Sequence, residues 1–209
     1  MQRLPIDRDA LLIYAAGFVR SATVSLVGVT LAIHLADVGF STTQIGLLIG
    51  VGLAGSSFAT VIVSLRGDAW GRRRILIGLA LLSAVGYLAL ASETSAAALV
   101  PLAFVGMLNG MGRDRGAASA LDQAILPGTV PDDRRTWALA WYNLVLDGGH
   151  ALGALAATVP TILTRVTAVG PQTAHQLTFL ICAGAMLLCV APYRALSSRI
   201  EIGAGTAPA

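Results

Sequence analysis

The 209-residue sequence contains no lysine, and Asp, Glu and Arg together make up only 12% of it. A soluble domain carries about 25% charged residues. A chain this poor in charge, with a mean hydropathy of +0.75, reads as an integral membrane protein with no room for a soluble domain. The net charge of +3 rests on arginine alone. Those arginines stand between apolar runs and are not interleaved with aromatics, so nucleic acid is excluded as a partner. Cysteine is almost missing. Cys182 and Cys189 share one apolar run, and a helix would hold them about 10 Å apart, too far for a disulfide. No metal-ligand spacing surrounds them, and they read as small packing residues. No Gly-x-Ser-x-Gly or His-Glu-x-x-His element occurs. No cofactor and no metal are expected.

What the chain has in quantity is apolar sequence. A membrane helix needs about 20 mostly apolar residues. Six segments qualify, at about 10–36, 44–65, 75–91, 96–125, 136–163 and 174–193, which makes residues 10–193 one all-α, six-helix transmembrane domain. Residues 1–9 precede it and residues 194–209 form a small, polar tail. Arg20 interrupts the first apolar run and no small-x-small cleavage site follows, so the run reads as an uncleaved first helix and not as a signal peptide. With the N-terminus in the cytoplasm, Arg3, Arg8, Arg66, Arg72, Arg73, Arg74, Arg134, Arg135, Arg194 and Arg199 all fall inside, and Arg165 falls outside. This asymmetry is the positive-inside pattern. It predicts two cytoplasmic termini and an even number of spans.

The turn between the second and third segments is the most charged part of the chain: S-L-R-G-D-A-W-G-R-R-R-I, residues 64–75. Gly71 suits a tight turn. Asp68 precedes the third helix, where a carboxylate can cap free backbone N–H groups. The stretch resembles the signature loop of the major facilitator superfamily, G-x-L-A-D-R-x-G-R-R. Asp68, Gly71, Arg72 and Arg73 match, while Ser64, Gly67 and Ala69 depart from the pattern. V-P-D-D-R-R-T-W-A-L-A, residues 130–140, is similar to the family's loop between helices four and five. Gly149 and Gly153 match the first glycines of the drug-antiporter element G-x-x-x-G-P-x-x-G-G. Ala154 and Ala157 replace its proline and next glycine. The two glycines read equally as a close helix–helix contact.

The resemblance implies a bundle of the superfamily's type, corresponding to the N-terminal six-helix half of the usual twelve. It implies a secondary active transporter moving a small solute by alternating access. It further implies that Asp68, Gly71, Arg72 and Arg73 form a cytoplasmic gate that closes on a second half. That half would be a second copy or a separately encoded chain. The reading adopted is a proton-coupled half-transporter in a bacterial inner membrane, surrounded by lipid. The alternatives are a truncated, non-transporting fragment, a channel or structural membrane subunit, and a membrane-embedded enzyme. The last is disfavoured because Leu146-Asp147-Gly148-Gly149 begins like a D-G-x-x-A-R transferase element but lacks its Ala-Arg and later aspartates.

A charge inside a bilayer costs at least about 2.5–3.5 kcal/mol and normally faces a cavity or a partner. The internal charges fall on the first, fourth and fifth segments: Arg20; Arg113, Asp114 and Arg115; Asp147 and His150. These segments are expected to enclose a polar interior, with the apolar third and sixth outside them. Arg20 is either a cavity cation or a structural partner of Asp114 or Asp147. Glycines around Arg113–Asp114–Arg115 should loosen the fourth helix. Asp114 would neutralise one arginine and leave the other free for a carboxylate or phosphate. On a regular helix the two arginines could not face one cavity. Asp147 is a candidate proton carrier or a permanent ion-pair partner, with His150 one turn away. These six residues are the candidate substrate or coupling set, and their charges lean toward an anionic or polar solute. Asp122 and Gln123 are assigned to the cytoplasmic mouth with Arg134 and Arg135. Trp70, Trp137 and Trp141 read as an interfacial belt.

Overall fold

A computed structural model describes residues 7–92 and 95–201. The expectations for residues 1–6, for the middle of the S-E-T-S turn and for the tail from residue 202 lie outside the described residues. The elements are α1 (Arg8–Asp37), α2 (Thr42–Trp70), α3 (Arg72–Ser92), α4 (Ala96–Val105), α5 (Ala117–Ile125), α6 (Arg135–Ala156), α7 (Val159–Val166) and α8 (Pro171–Ala195). Short 3-10 turns follow α5, precede α6 and follow α8. No strand occurs among the described residues. The all-α membrane fold is therefore seen, and α1, α2, α3 and α8 are each long and apolar enough to cross a bilayer.

The fourth and fifth apolar segments are not single helices. The fifth is split at residues 157–158 into α6 and α7, with Pro160 in the first turn of α7. The fourth is divided by the irregular stretch 106–116. Four glycines and Asn109 lower its helix propensity, each glycine by about 1 kcal/mol against alanine. α4 closes in a Schellman-type end. The Met107 N–H donates to the Phe104 carbonyl and the Leu108 N–H to that of Ala103, with Met107 itself at φ 53°. The Asn109 side chain then holds the stretch in place. It donates to the Arg113 carbonyl at 2.6 Å and accepts from the Met111 N–H at 2.9 Å.

α1 is the central helix, running against both α6 and α8, while α3 lies along α8 and α2 along α4. The α1–α6 contact is close because of Gly149 and Gly153. A Cβ on Gly153 would stand 2.0 Å from the Ala22 carbonyl oxygen, and one on Gly149 2.6 Å from that of Phe18. The packing reading of these two glycines is the one the geometry carries. The expectation for the sixth segment needs correcting. α8 is not merely peripheral, because Cys182, Met186, Cys189 and Tyr193 are all buried against the rest of the bundle. The least buried long helix is α2, which leaves Leu47, Phe58, Val61 and Leu65 exposed.

The start of α1, the α2–α3 turn, the α5–α6 connection and the end of α8 all meet at one end of the bundle. Asp9 accepts from the Ser197 N–H at 2.9 Å, and Arg72 reaches the Ala124 carbonyl. Gly71 makes the α2–α3 turn at φ 88°. The cap of α3 differs from expectation. Glu201, not Asp68, accepts from the backbone N–H groups of Arg72 and Arg73, at 2.6 and 3.2 Å. Asp68 belongs to the last turn of α2 and pairs with the Arg72 guanidinium at 2.9 Å, while Arg73 donates to the Leu196 carbonyl.

Substituting Gly153→Val should force α1 and α6 apart. Overpacking of this kind costs about 1–3 kcal/mol. A lowered melting temperature in a detergent thermal-shift assay is the expected result, with Gly184→Val, at an open position of α8, as the tolerated control.

Candidate functional site

The polar interior is built on Arg20. Arg20 is 6% exposed, and its side chain reaches four partners on four other parts of the chain. Nε–H donates to Asp114 Oδ2 at 2.6 Å, and one terminal nitrogen donates to Asp122 Oδ2 at 2.8 Å and to the Tyr142 hydroxyl at 3.1 Å. The other terminal nitrogen donates to the Tyr193 hydroxyl. Tyr142 in turn donates to Asp122 Oδ2 at 2.9 Å. Arg20 thus ties α1 to the irregular stretch, to α5, to α6 and to α8. Its partner-holding role is the one the geometry supports, with Asp114 as anticipated and Asp122 in place of Asp147.

Asp122 departs from its expected surroundings. The sequence places it at the mouth with Arg134 and Arg135, yet it is wholly buried against Arg20 and Tyr142. The last turns of α5 and α8 bring it there, three residues before Ile125, opposite Tyr193, two residues before Ala195. Arg135 instead pairs with Asp132 at 2.8 Å and donates to the Pro127 carbonyl. Arg134 begins the first turn toward α6.

Asp114 does not neutralise a neighbouring arginine, because Arg20 takes it. Arg113 and Arg115 are both exposed, and neither forms an ion pair among the described residues. Because 106–116 is not helical, both arginines line the same cavity, of about 540 Å³, which a regular helix would have forbidden. Gln123, Asn143, Asp147 and His150 complete its polar wall. Gln123 therefore sides with this cavity and not with Arg134 and Arg135.

His150 links the cavity to the buried cluster. The Asp114 backbone N–H donates to its Nε2 at 2.9 Å. Accepting there leaves the ring proton on Nδ1, which faces the Asp147 carboxylate at 3.8 Å. Asp147 is not a buried carboxylate within this chain. Its side chain is 79% exposed and opens on the cavity. A second, smaller space of about 50 Å³ lies on the other side of Asp114, beside Arg20, Tyr87 and Tyr193. Tyr142 and Tyr193 went unremarked in the sequence. Their signal is faint: two phenols inside apolar helices, each needing a partner for its hydroxyl. Trp70, Trp137 and Trp141 are half-exposed, and the rings of the last two lie 5.8 Å apart, tilted by 59°.

Residues 13–201 match the family model described as the Major Facilitator Superfamily. Over 180 residues the chain is 28% identical to a protein of Saccharomyces cerevisiae described as an uncharacterized membrane protein. That alignment takes in 85% of this chain and 40% of the yeast protein, so the chain spans less than half the length of that relative. No solved structure matches.

Removing Arg20 leaves two buried carboxylates facing each other, and breaking a buried ion pair from one side costs about 3–5 kcal/mol. Arg20→Ala should therefore fail to accumulate or melt far below the parent protein in thermal-shift measurements. Arg113→Ala and Arg115→Ala, both at exposed positions, should melt close to it.

Proposed function

This chain belongs to the major facilitator superfamily, and from that premise we propose that it is a six-span unit of a secondary active transporter, moving a small anionic or polar solute by alternating access coupled to protons. The observation that carries the reading is the unwound stretch at 106–116. It turns Asp114 inward to Arg20 and presents Arg113 and Arg115 together to one cavity of about 540 Å³. Two guanidiniums without carboxylate partners among the described residues form a site for a carboxylate or phosphate, which they can grip with paired N–H donors. Broken helices that offer side chains and backbone to a ligand are a recurring device of transporters. Asp147 and His150 on the opposite wall would meet a polar or cationic part of the same solute.

On this reading α4 and α5 together make the fourth pass and α6 and α7 the fifth, with both termini and the Asp68–Arg72 turn at the cytoplasmic face of a bacterial inner membrane. The gate residues Asp68, Gly71, Arg72 and Arg73 would close on a second six-helix unit. The open apolar side of α2 supports such a partner. A structural subunit that transports nothing is the competing reading. It would have no use for a pair of unpaired arginines in a cavity.

Two measurements test this. Small carboxylates and phosphates, screened by thermal shift against neutral sugars and amines, should include stabilising compounds. A compound held at 100 times its dissociation constant contributes about 2.7 kcal/mol. The stabilisation should vanish in Arg113→Gln/Arg115→Gln, and stabilisation unchanged in that double variant would remove the solute from this cavity. Separately, the mass of the detergent-solubilised complex purified from its native cell should correspond to two six-helix units, either two copies or this chain with a different one. A lone chain would count against the half-transporter arrangement.

A further inference from the structure

The buried cluster does not balance in charge. Arg20 supplies one positive charge, while Asp114 and Asp122 both lie within ion-pair distance of it, and all three are nearly or wholly removed from solvent. The other groups around Arg20 and its two carboxylates bring no compensating charge. α6 contributes the Tyr142 phenol, which donates to Asp122, α8 contributes Tyr193, which meets Arg20, with Cys189 nearby, and α3 contributes Tyr87 beside Arg20 and Asp114. Arg113 and Arg115 flank Asp114 in the chain but are exposed on the cavity side and form no ion pair with either carboxylate. His150 meets the Asp114 backbone and not its carboxylate, and Asp147 belongs to the cavity wall. Two ionised carboxylates on one guanidinium would leave a net negative charge in the interior. An uncompensated buried ion carries a penalty of several kcal/mol, whereas a buried hydroxyl without a partner costs about 1–3 kcal/mol.

The hydrogen bonds say which carboxylate resolves the imbalance. Asp122 receives both Arg20 and Tyr142 on Oδ2. Its Oδ1 is buried and has no hydrogen-bond partner. That is the pattern of a carboxylic acid whose carbonyl oxygen is Oδ2 and whose hydroxyl is Oδ1. Asp114, by contrast, borders both the 50 Å³ space and the 540 Å³ cavity and takes Arg20 at the shorter distance.

We propose that Asp122 is a proton-binding residue. It holds one proton on Oδ1 while Arg20 is shared with Asp114, and it ionises when Asp114 withdraws and leaves the guanidinium to Asp122 alone. One O–H bond breaks, the proton passes to water through the spaces beside Asp114, and no other bond changes. Asp114 lies between Arg113 and Arg115 on the unwound stretch, so any shift of that stretch on occupancy of the cavity moves the Arg20 partner that decides the protonation of Asp122. The place of this proton in a transport cycle rests on the transporter reading above. The proton site itself does not.

Infrared difference spectroscopy on the full chain in liposomes, stepped between acidic and alkaline buffer without any solute, reads the site directly. The expected result is the C=O stretch of a buried, protonated carboxylic acid that shifts in deuterium oxide. It should be lost in Asp122→Asn, retained in Asp147→Asn and displaced in Asp122→Glu. Asp122→Asn keeps the shape and neutrality of the acid and should fold as the parent does. Absence of the band from the parent protein, or its persistence in Asp122→Asn, would overturn the proposal. A band that behaves as expected in a protein that binds none of the screened carboxylates or phosphates would leave the proton site standing and count against the solute reading alone.

Discussion

A single guanidinium holds the bundle's interior together. Arg20 could not be inserted at this depth without partners, since a lone charge inside a bilayer is expensive. The chain supplies them from four other places at once: Asp114 from the unwound stretch, Asp122 from α5, and the phenols of Tyr142 and Tyr193 from α6 and α8. The geometry of the break follows from this demand. Were residues 106–116 helical, the three charges at 113–115 would radiate around the helix. Instead the Asn109 side chain folds the stretch back on itself, the aspartate points in, and the two arginines remain outside it.

The same constraint explains why the central helix is α1. Its neighbours α6 and α8 are the elements that carry the two tyrosines, and close approach is bought on the α6 side by glycines at 149 and 153. The α8 side is fixed at its end. Ser197 bonds Asp9 just beyond the last turn of α8, Leu196 accepts from Arg73, and Glu201 caps α3. Tyr193 lies within one turn of these contacts, so the cap at the charged end and the Arg20 network brace the same stretch of α8. The carboxylate of Glu201 sits where the positive end of the α3 dipole and its free N–H groups coincide.

The sequence disclosed the membrane class, the family and the charged segments, because these depend on composition, on the spacing of apolar runs and on a local motif. It also disclosed that glycines would loosen the fourth segment. What it could not disclose is which charge meets which. Asp114 stands between two arginines in the chain, and local reasoning pairs it with one of them. The fold pairs it with a residue 94 positions away. Asp122 lies near a basic loop in sequence, and only the packing of α5 against α2, α3 and α1 turns it inward to Arg20 and Tyr142. Asp147 sits deep within a long apolar segment, yet the face of α6 that bears it opens on the cavity. In each case the contact depends on rotation about a helix axis, and for Asp114 and Asp122 a break of eleven residues resets that rotation.

That reset has a consequence for how charge is sorted across the structure. On one side of the irregular stretch lies a buried cluster with one cation and two carboxylates. On the other lies a cavity with two free arginines, one exposed aspartate and a histidine. The two compartments have opposite imbalances and meet at Asp114, whose backbone N–H is bonded to His150. On the proposed reading, binding an anion in the cavity and binding a proton in the cluster would be separate events at sites joined by a single, non-helical segment. A rigid helix would transmit a shift along its whole length. An unwound stretch anchored by Asn109 and Arg20 can instead trade one local arrangement for another, which is the kind of element a coupling between two ligands requires.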